Sequence, residues 1–202
     1  MPKIKLTKTE LKTQKDALQR YIRFLPLLQL KKQQLQSEIA GMRSKVDDVG
    51  RERSALLDAV SSWVALLADE AQEIPVVLER IASSSGNIAG VAIPVFERVV
   101  TRRPETDLFA TPAWVDDAAE AAAALMSLSA REDILKEQIR LVEEELRTTS
   151  QRVNLFEKVK IPECRDNIRA IGVALGDEQA SSVVRGKIAK GRTVKEAAAE
   201  AV

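Results

Sequence analysis

Apolar side chains recur every three or four residues through the first third of the chain. The pattern starts at Leu11 and continues to Leu67, and only Gln14, Lys32 and Arg53 interrupt it. A seam of this kind, kept for about eight heptads, is typical of a helix that pairs with a second helix along its length. The apolar members are Leu11, Leu18, Tyr21, Leu25, Leu28, Leu35, Ile39, Met42, Val46, Val49, Leu56, Val60, Trp63 and Leu67.

A second seam of the same kind runs from Leu125 to Leu175. Its step from Val153 to Cys164 covers eleven residues instead of seven, which is typical of a stutter that locally unwinds a supercoil. Pro162 lies inside that step, and Pro26 lies in the first seam. Because proline removes a backbone hydrogen bond, we expect both to bend their helices. The members are Leu125, Leu128, Leu135, Ile139, Val142, Leu146, Val153, Phe156, Cys164, Ile168, Ile171 and Leu175.

The segment between the two seams carries turn and strand signals. "SSSGN", residues 83–87, predicts a turn. "IAGVAIPVFERVVT", residues 88–101, is rich in β-branched residues and predicts a short β-hairpin, although Pro94 is equally compatible with an irregular loop. "RRPETDLFATPAW" contains two prolines and predicts a second loop.

These elements predict an all-α protein, a long antiparallel two-helix coiled coil with a short β-hairpin or loop region in the middle. We assign residues 1–80 to the N-terminal coiled-coil helix and 81–115 to the hairpin and loop region. Residues 116–180 form the C-terminal coiled-coil helix, and residues 181–202 form a basic and then Ala-rich tail.

The two basic interruptions of the first seam bear on how the helices align. If the chain folds back near residue 98, Arg53 faces Glu143, Glu144 and Glu145, and Lys32 falls near Glu163 and Asp166. A polar position inside a coiled coil costs stability and fixes register. The alternative is that both long side chains reach out to water.

Composition adds two points to this picture. The chain has 202 residues, of which 3% are aromatic and 30% charged, which suits an elongated helical protein better than a compact globule. Without histidine the usual general base is absent, and the single cysteine, Cys164, falls on a seam, where a buried structural thiol is expected. With no phosphate-binding glycine loop either, we expect no enzyme activity, no cofactor and no metal site.

Charge is sorted along the chain. Residues 1–20 carry a net charge of +4 and residues 181–195 one of +5, and an antiparallel pairing places both segments at the same end, the basic tip. Residues 46–80 and 116–145 are acidic. Solvated helix faces and frayed termini account for a single charge cluster, but two distant clusters at one end favour a partner-binding role. The candidate residues are Lys3, Lys5, Lys8, Lys12, Arg185, Lys187, Lys190 and Arg192.

Nucleic acid and the lipid bilayer are weak candidates for that partner. The basic tip offers only Tyr21 for stacking on bases, and no nucleic-acid-binding module is recognisable. No apolar run approaches the ~20 residues that span a bilayer, so direct membrane insertion is not expected. The single cysteine and the missing signal peptide favour a cytoplasmic location.

Several stretches resemble a known family. "LTKTELKTQKDALQRYIRFLPLLQLKKQQL" and "TSQRVNLFEKVKIPECRDNIRAI" are similar to the D subunit, the central rotor shaft of V-type and archaeal-type rotary ATPases. "NIAGVAIPVFE", "LFATPAWVD" and "SSVVRGKIAKG" resemble its bacterial branch. The resemblance covers nearly the whole chain, and the "QRVNLFE" stretch followed by "IP" is its most specific part.

The resemblance implies a non-catalytic subunit that transmits torque between a catalytic ring and an ion-translocating membrane ring. The basic tip would sit inside the ring of A-type and B-type subunits, which carry catalysis and nucleotide binding. The middle would hold the small F subunit of the rotor, near a hairpin at residues 88–100 able to influence hydrolysis, and the acidic end would rest on a funnel-shaped membrane-ring adaptor. Arg152 and Asn154 match the family motif and would face a partner or the other helix. The location implied is cytoplasmic, peripheral to the membrane within a membrane-bound complex.

Two other classes of protein share these sequence features. A free-standing coiled-coil scaffold or prefoldin-like chaperone subunit also joins long helices through β-hairpins. An adaptor for nucleic acid or membrane would use the basic tip and show steep salt dependence. Co-purification separates them, since a rotor subunit is recovered with ATPase subunits and a scaffold with itself or its clients.

Overall fold

The computed structural model describes residues 4–63, 75–104, 112 and 114–200, without the side chains of 193–200. Helix α1 (Lys8–Ser61) is followed by strands β1 (Val77–Ile88) and β2 (Val91–Arg102), helix α2 (Trp114–Leu155), a π-helical turn (Phe156–Lys160) and helix α3 (Ile161–Glu200). The predicted fold class is confirmed, with two long helical stretches and a two-stranded antiparallel hairpin between them. Among the described residues, no helix has the length and apolar character that crossing a membrane requires.

The seam predicted for the first helix is the covered face of α1. From Leu11 to Trp63 every seam position is buried or half-buried, while almost all other positions are exposed; Leu67 lies outside the described residues. Thr7 caps the helix, because its side-chain oxygen accepts a hydrogen bond from the backbone N–H of Glu10 at 3.3 Å. The helix continues through Pro26.

Contacts divide the chain into two compact units, one made of residues up to Gln29 and from Ser150 onward, the other of Leu30–Thr149. In the Leu30–Thr149 unit, both helices and the hairpin share one hydrophobic core, since Ile93 of β2 is buried together with residues of α1 and α2. The five core residues are Leu35, Ile39, Met42, Ile93 and Val142. The tip of the hairpin also packs against this core, which gives α2 a broader covered face than a two-helix seam requires.

The hairpin turns at Ala89 and Gly90. Both residues have positive φ, 51° and 87°, as a two-residue type I′ loop requires, and the side-chain oxygen of Asn87 accepts a hydrogen bond from the N–H of Gly90 at 2.9 Å. The turn predicted at residues 83–87 is wrong, because these residues lie inside β1. Gly86 is needed there for space, since a Cβ on it would lie 2.7 Å from Cγ2 of Val95.

This turn corrects the predicted alignment of the helices. Arg53 faces Glu132, at 3.0 Å, instead of Glu143–Glu145, and Glu143 faces Arg43, at 2.7 Å. The chain folds back at Ala89–Gly90 and not near residue 98, because β1 and β2 are twelve residues each and absorb much of the segment that was expected to be loop. Arg43 and Arg53 therefore meet partners earlier in α2 than predicted.

In the other unit, α1 packs against α2 and α3 around the predicted stutter. Val153, Cys164 and Ile171 are buried there. The eleven-residue step coincides with the π-helical turn Phe156–Lys160, in which the N–H of Ile161 donates to the carbonyl of Phe156, five residues back. Pro162, the second residue of α3, has no N–H and leaves one backbone hydrogen bond unmade. The π-helical turn sits directly before the proline.

Leu35, which has no exposed surface, is expected to contribute most where α1 meets the core. Leu35→Ala should lower the free energy of unfolding by about 2–5 kcal/mol, because it removes buried methyl groups and leaves a cavity. Leu30→Ala is the matched control on the same helix, since Leu30 is 63% exposed; its effect should stay within about 0.5 kcal/mol. Urea denaturation followed by circular dichroism measures both, and equal losses would contradict the assignment of the seam.

Candidate partner-binding site

The N-terminal part of the basic tip lies at the start of α1. Lys5 precedes the helix, and Lys8 and Lys12 lie on its first turns; all three side chains are exposed. Lys3 lies outside the described residues. The N-terminus of α1 thus presents a row of cations to solvent.

The C-terminal part of the basic tip lies on α3, beyond the last covered position of that helix. Leu175 is half-buried, and every residue from 176 to 192 is exposed, including Arg185, Lys187, Lys190 and Arg192. At about 1.5 Å per residue, this exposed segment is about 25 Å long. It also carries apolar side chains that are more than half exposed, Val183, Val184 and Ile188.

The structure brings the two parts to the same end of their unit but not side by side. The Nδ2 of Asn167 donates a hydrogen bond to Oε1 of Gln14 at 3.4 Å, which aligns α1 with α3. Because the helices are antiparallel, Lys8 lies about level with residue 173, roughly 18 Å before Arg185 along α3. The candidate surface is therefore a projecting helix with a second basic group at its root.

Arg152 and Asn154 of the "QRVNLFE" stretch are both exposed near the end of α2, whereas Val153 between them is buried. That they face a partner or the other helix stays a prediction. The same region carries an aromatic contact within its unit, since the rings of Tyr21 and Phe156 lie 4.9 Å apart at a tilt of 52°.

Exposed apolar side chains in this region are a feature that sequence reasoning missed. Ile22 and Phe24 on α1, Leu155 at the end of α2 and Val159 in the π-helical turn are each between 44% and 49% exposed. The available signal was their position off the seam: an apolar residue outside the covered stripe of an amphipathic helix has no partner within the pair.

Cys164 is buried, as predicted, and burial raises the pKa of its thiol, with Glu163 acting in the same direction and Lys160 opposing them. Lys160 lies 3.0 Å from Glu163 in an ion pair. A thiol with a raised pKa is a poor nucleophile at neutral pH.

Among the described residues, no group of three or more histidine, cysteine, aspartate or glutamate side chains could hold a metal ion.

Ion pairs join α1 to α2 in the Leu30–Thr149 unit. Lys31 lies 2.6 Å from Glu145, and Arg43 lies 2.7 Å from Glu143. Arg43–Glu143 is exposed, where such pairs stabilise little, and Lys31–Glu145 is half-buried. Arg53 and Glu132 differ, because Glu132 is buried; a hydrogen bond from Lys136 lowers the pKa of Glu132 against the effect of burial, and the charge of Arg53 lowers it further.

Known proteins are similar to this chain over nearly its whole length. A family model described as the D subunit of ATP synthase matches residues 10–191. A protein of Borreliella burgdorferi named as a V-type ATP synthase D subunit is 44% identical over 196 residues, which cover 96% of this chain and 97% of that protein. A protein of the same name from Chlamydia muridarum is 35% identical over 192 residues, 93% of this chain and 94% of its own length.

The buried thiol gives a test of the packing beside the π-helical turn. We expect Cys164, the chain's single cysteine, to react with an aromatic disulfide reagent on the order of 100-fold more slowly in the folded chain than in urea, because the reagent must wait for local opening. Since the folded-state pKa is raised, the unfolded thiol ionises first. Stability should therefore be unaffected at neutral pH and fall as the pH rises above the thiol's ordinary pKa.

Cys164→Ala is the control for both readouts. It should abolish labelling and remove this part of the alkaline loss of stability. Labelling of the folded protein at the rate of the unfolded chain would contradict a packed thiol at this position.

Proposed function

We propose, from the premise that this chain belongs to the D-subunit family of ATP synthases, that it is the rotor shaft of a V-type rotary ATPase. As a member of that family it is a non-catalytic stalk subunit. The finer proposal is that it transmits torque between a catalytic ring and an ion-translocating membrane ring. The observation that carries it is the family match over residues 10–191, which leaves little of the chain for another task.

The side-chain chemistry of the described residues supports a mechanical role. Cys164 is a buried thiol of raised pKa, and the ion pairs of the described residues join one helix turn to another, α1 to α2, or β1 to β2. Such groups hold surfaces together and do not activate a substrate. A stalk subunit needs no more, because the reaction belongs to the ring around it.

Torque requires helices that resist twisting and faces that differ from one another. Paired helices with a continuous apolar seam satisfy the first condition in each unit. The π-helical turn, the exposed apolar side chains around Tyr21 and the hairpin on one side of the other unit break the heptad symmetry. Each orientation of such a subunit presents a different surface to its surroundings.

The partners we propose follow the surfaces described above. The projecting part of α3, with Lys5, Lys8 and Lys12 at its root, would enter the ring of A-type and B-type subunits. Its exposed valines and isoleucine suit an apolar collar, and its cations suit carboxylates at the rim. The Leu30–Thr149 unit, which carries the hairpin, would hold the small F subunit of the rotor, and the acidic residues 46–80 and 116–145 would rest on the funnel-shaped adaptor of the membrane ring. In that complex the chain would be cytoplasmic and peripheral to the membrane.

The free-standing scaffold receives less support. The relatives named as V-type ATP synthase D subunits are covered over more than nine-tenths of their length, so the likeness extends well beyond the composition that coiled coils share. The exposed end of α3 also favours a socket in a larger assembly over a chain that is complete by itself.

Neutralising the projecting cations tests the proposed seat in the ring. The triple variant Arg185→Gln/Lys187→Gln/Arg192→Gln should bind the ring about tenfold more weakly, since each exposed charge contributes roughly 0.2–1 kcal/mol to a complementary interface. Affinity is measured by titrating the labelled chain into ring subunits, and coupling by ATP-driven ion movement in the reconstituted complex.

The matched control is Arg80→Gln/Arg98→Gln/Arg103→Gln, which removes the same charge from exposed positions in and next to the hairpin. Ring affinity should be unchanged in this control. A chain truncated before residue 185 that still supports full coupling would rule out the proposed seat.

A further inference from the structure

We propose that the ion pair between Arg53 and Glu132 sets the sliding register of α1 against α2. This inference goes beyond the proposed function. It concerns the isolated chain, so its test is independent of the test of the proposed function. Three features carry it: the repeating seam cannot choose a register by itself, Glu132 is buried, and its counter-charge comes from the opposite helix.

The seam of α1 is nearly degenerate with respect to slipping. Between Met42 and Trp63 apolar residues recur in it at heptad spacing, so a shift of seven residues there replaces one apolar contact by another of similar size, except at Arg53. Between Leu35 and Trp63 the only charged seam position is Arg53. Seven residues to either side stand Val46 and Val60, which are both half-buried. Hydrophobic burial alone therefore discriminates poorly between the observed register and its neighbours.

Glu132 supplies the missing discrimination. Its side chain is 10% exposed, and its Oε2 lies 3.0 Å from Nη1 of Arg53. Its other oxygen, Oε1, lies 2.6 Å from the Nζ of Lys136, which belongs to the same helix and moves with it in any slip. Oε2 is fully buried and has no hydrogen-bond donor among the described residues, so the charge of Arg53 is what compensates it.

A slip of one heptad would remove that compensation. Val46 or Val60 would then stand opposite Glu132, and its buried Oε2 would face methyl groups without the charge of Arg53, while Lys136 would still pair with the other oxygen, Oε1. The pairs Arg43–Glu143 and Lys31–Glu145 would also be lost, but their carboxylates are 44% and 29% exposed and can be hydrated, whereas Glu132 is 10% exposed and its partner Arg53 is 41% exposed. Along the part of the seam that lies beyond the hairpin core, the register is thus chosen by one buried charge. If the proposed function is correct, the same pair keeps the helices from sliding under torque.

Distances between two spin labels measure the register directly. We place labels at the exposed positions Ser54 on α1 and Arg147 on α2, both replaced by cysteine in the Cys164→Ala background. A slip of seven residues changes their axial separation by about 10 Å. The reference chain should give a single distance distribution.

The decisive variant is Arg53→Leu/Glu132→Leu, which removes both charges without leaving one buried, so the fold is expected to survive. We expect a second distance population displaced by about 10 Å, with a slipped fraction at least tenfold above the reference. The matched control, Arg43→Leu/Glu143→Leu, removes a more exposed interhelical pair from the same two helices and should leave the single population unchanged. A folded Arg53→Leu/Glu132→Leu chain with the distances of the reference would overturn the proposal.

A charge swap decides the matter if the leucine variant loses its helical circular dichroism. Arg53→Glu/Glu132→Arg restores an ion pair of opposite orientation and should recover the single distance, whereas Arg53→Glu alone should show the displaced population. A swap that remains displaced, or a single reversal that does not shift, also refutes a register set by this pair. These measurements involve no ring subunits, so their outcome is independent of the test of the proposed function.

Discussion

The apolar seam of α1 is the interaction on which the rest of the structure depends. In one unit it covers Leu35, Ile39 and Met42 together with Val142 and the tip of the hairpin, and in the other it brings Tyr21 to Phe156. Helices of this length gain most of their stability from such packing and little from propensity alone. The course of this seam determines which residues form ion pairs between the helices and where the hairpin turn lies. The point at which the seam ends determines how much of α3 projects.

The seams were predictable because heptad spacing is a property of the sequence that tertiary context rarely overrides. Every predicted seam position among the described residues is at least half-buried, and the eleven-residue step marks the π-helical turn. Alignment was not predictable in the same way. It depends on one turn, and Ala89 is a poor signal for positive φ, whereas the glycine and asparagine of "SSSGN" are strong signals. Gly86 is there to let Val95 approach, a packing need that local sequence does not reveal.

The candidate site was predictable in charge and less so in geometry. Basic residues at both termini pointed to one end of a hairpin, and both parts do lie at the same end of their unit. The two parts lie at different heights along the helix axis, because α3 continues past the start of α1. How far it continues depends on the alignment of the two helices. The exposed apolar residues near the π-helical turn were not predicted as a surface feature, because a seam pattern treats every position outside the seam as polar and solvent-facing. Burial of Thr149 on α2 was not predicted either, because a polar residue does not fit the apolar pattern of the seam.

A protein without a reactive side chain can still determine the rate of a reaction when it controls which state a catalytic partner occupies. Such control requires two properties that oppose each other in a coiled coil. A regular repeat gives stiffness but makes faces and registers equivalent, whereas polar or irregular positions make them distinct at a cost in stability. Here the costs include the π-helical turn before Pro162 and the carboxylate of Glu132 held by Arg53. Lys32 and the buried Gln138 and Thr149 are further polar interruptions, and most other covered positions are apolar, so most of the seam keeps the helices paired while a few positions make the faces distinct.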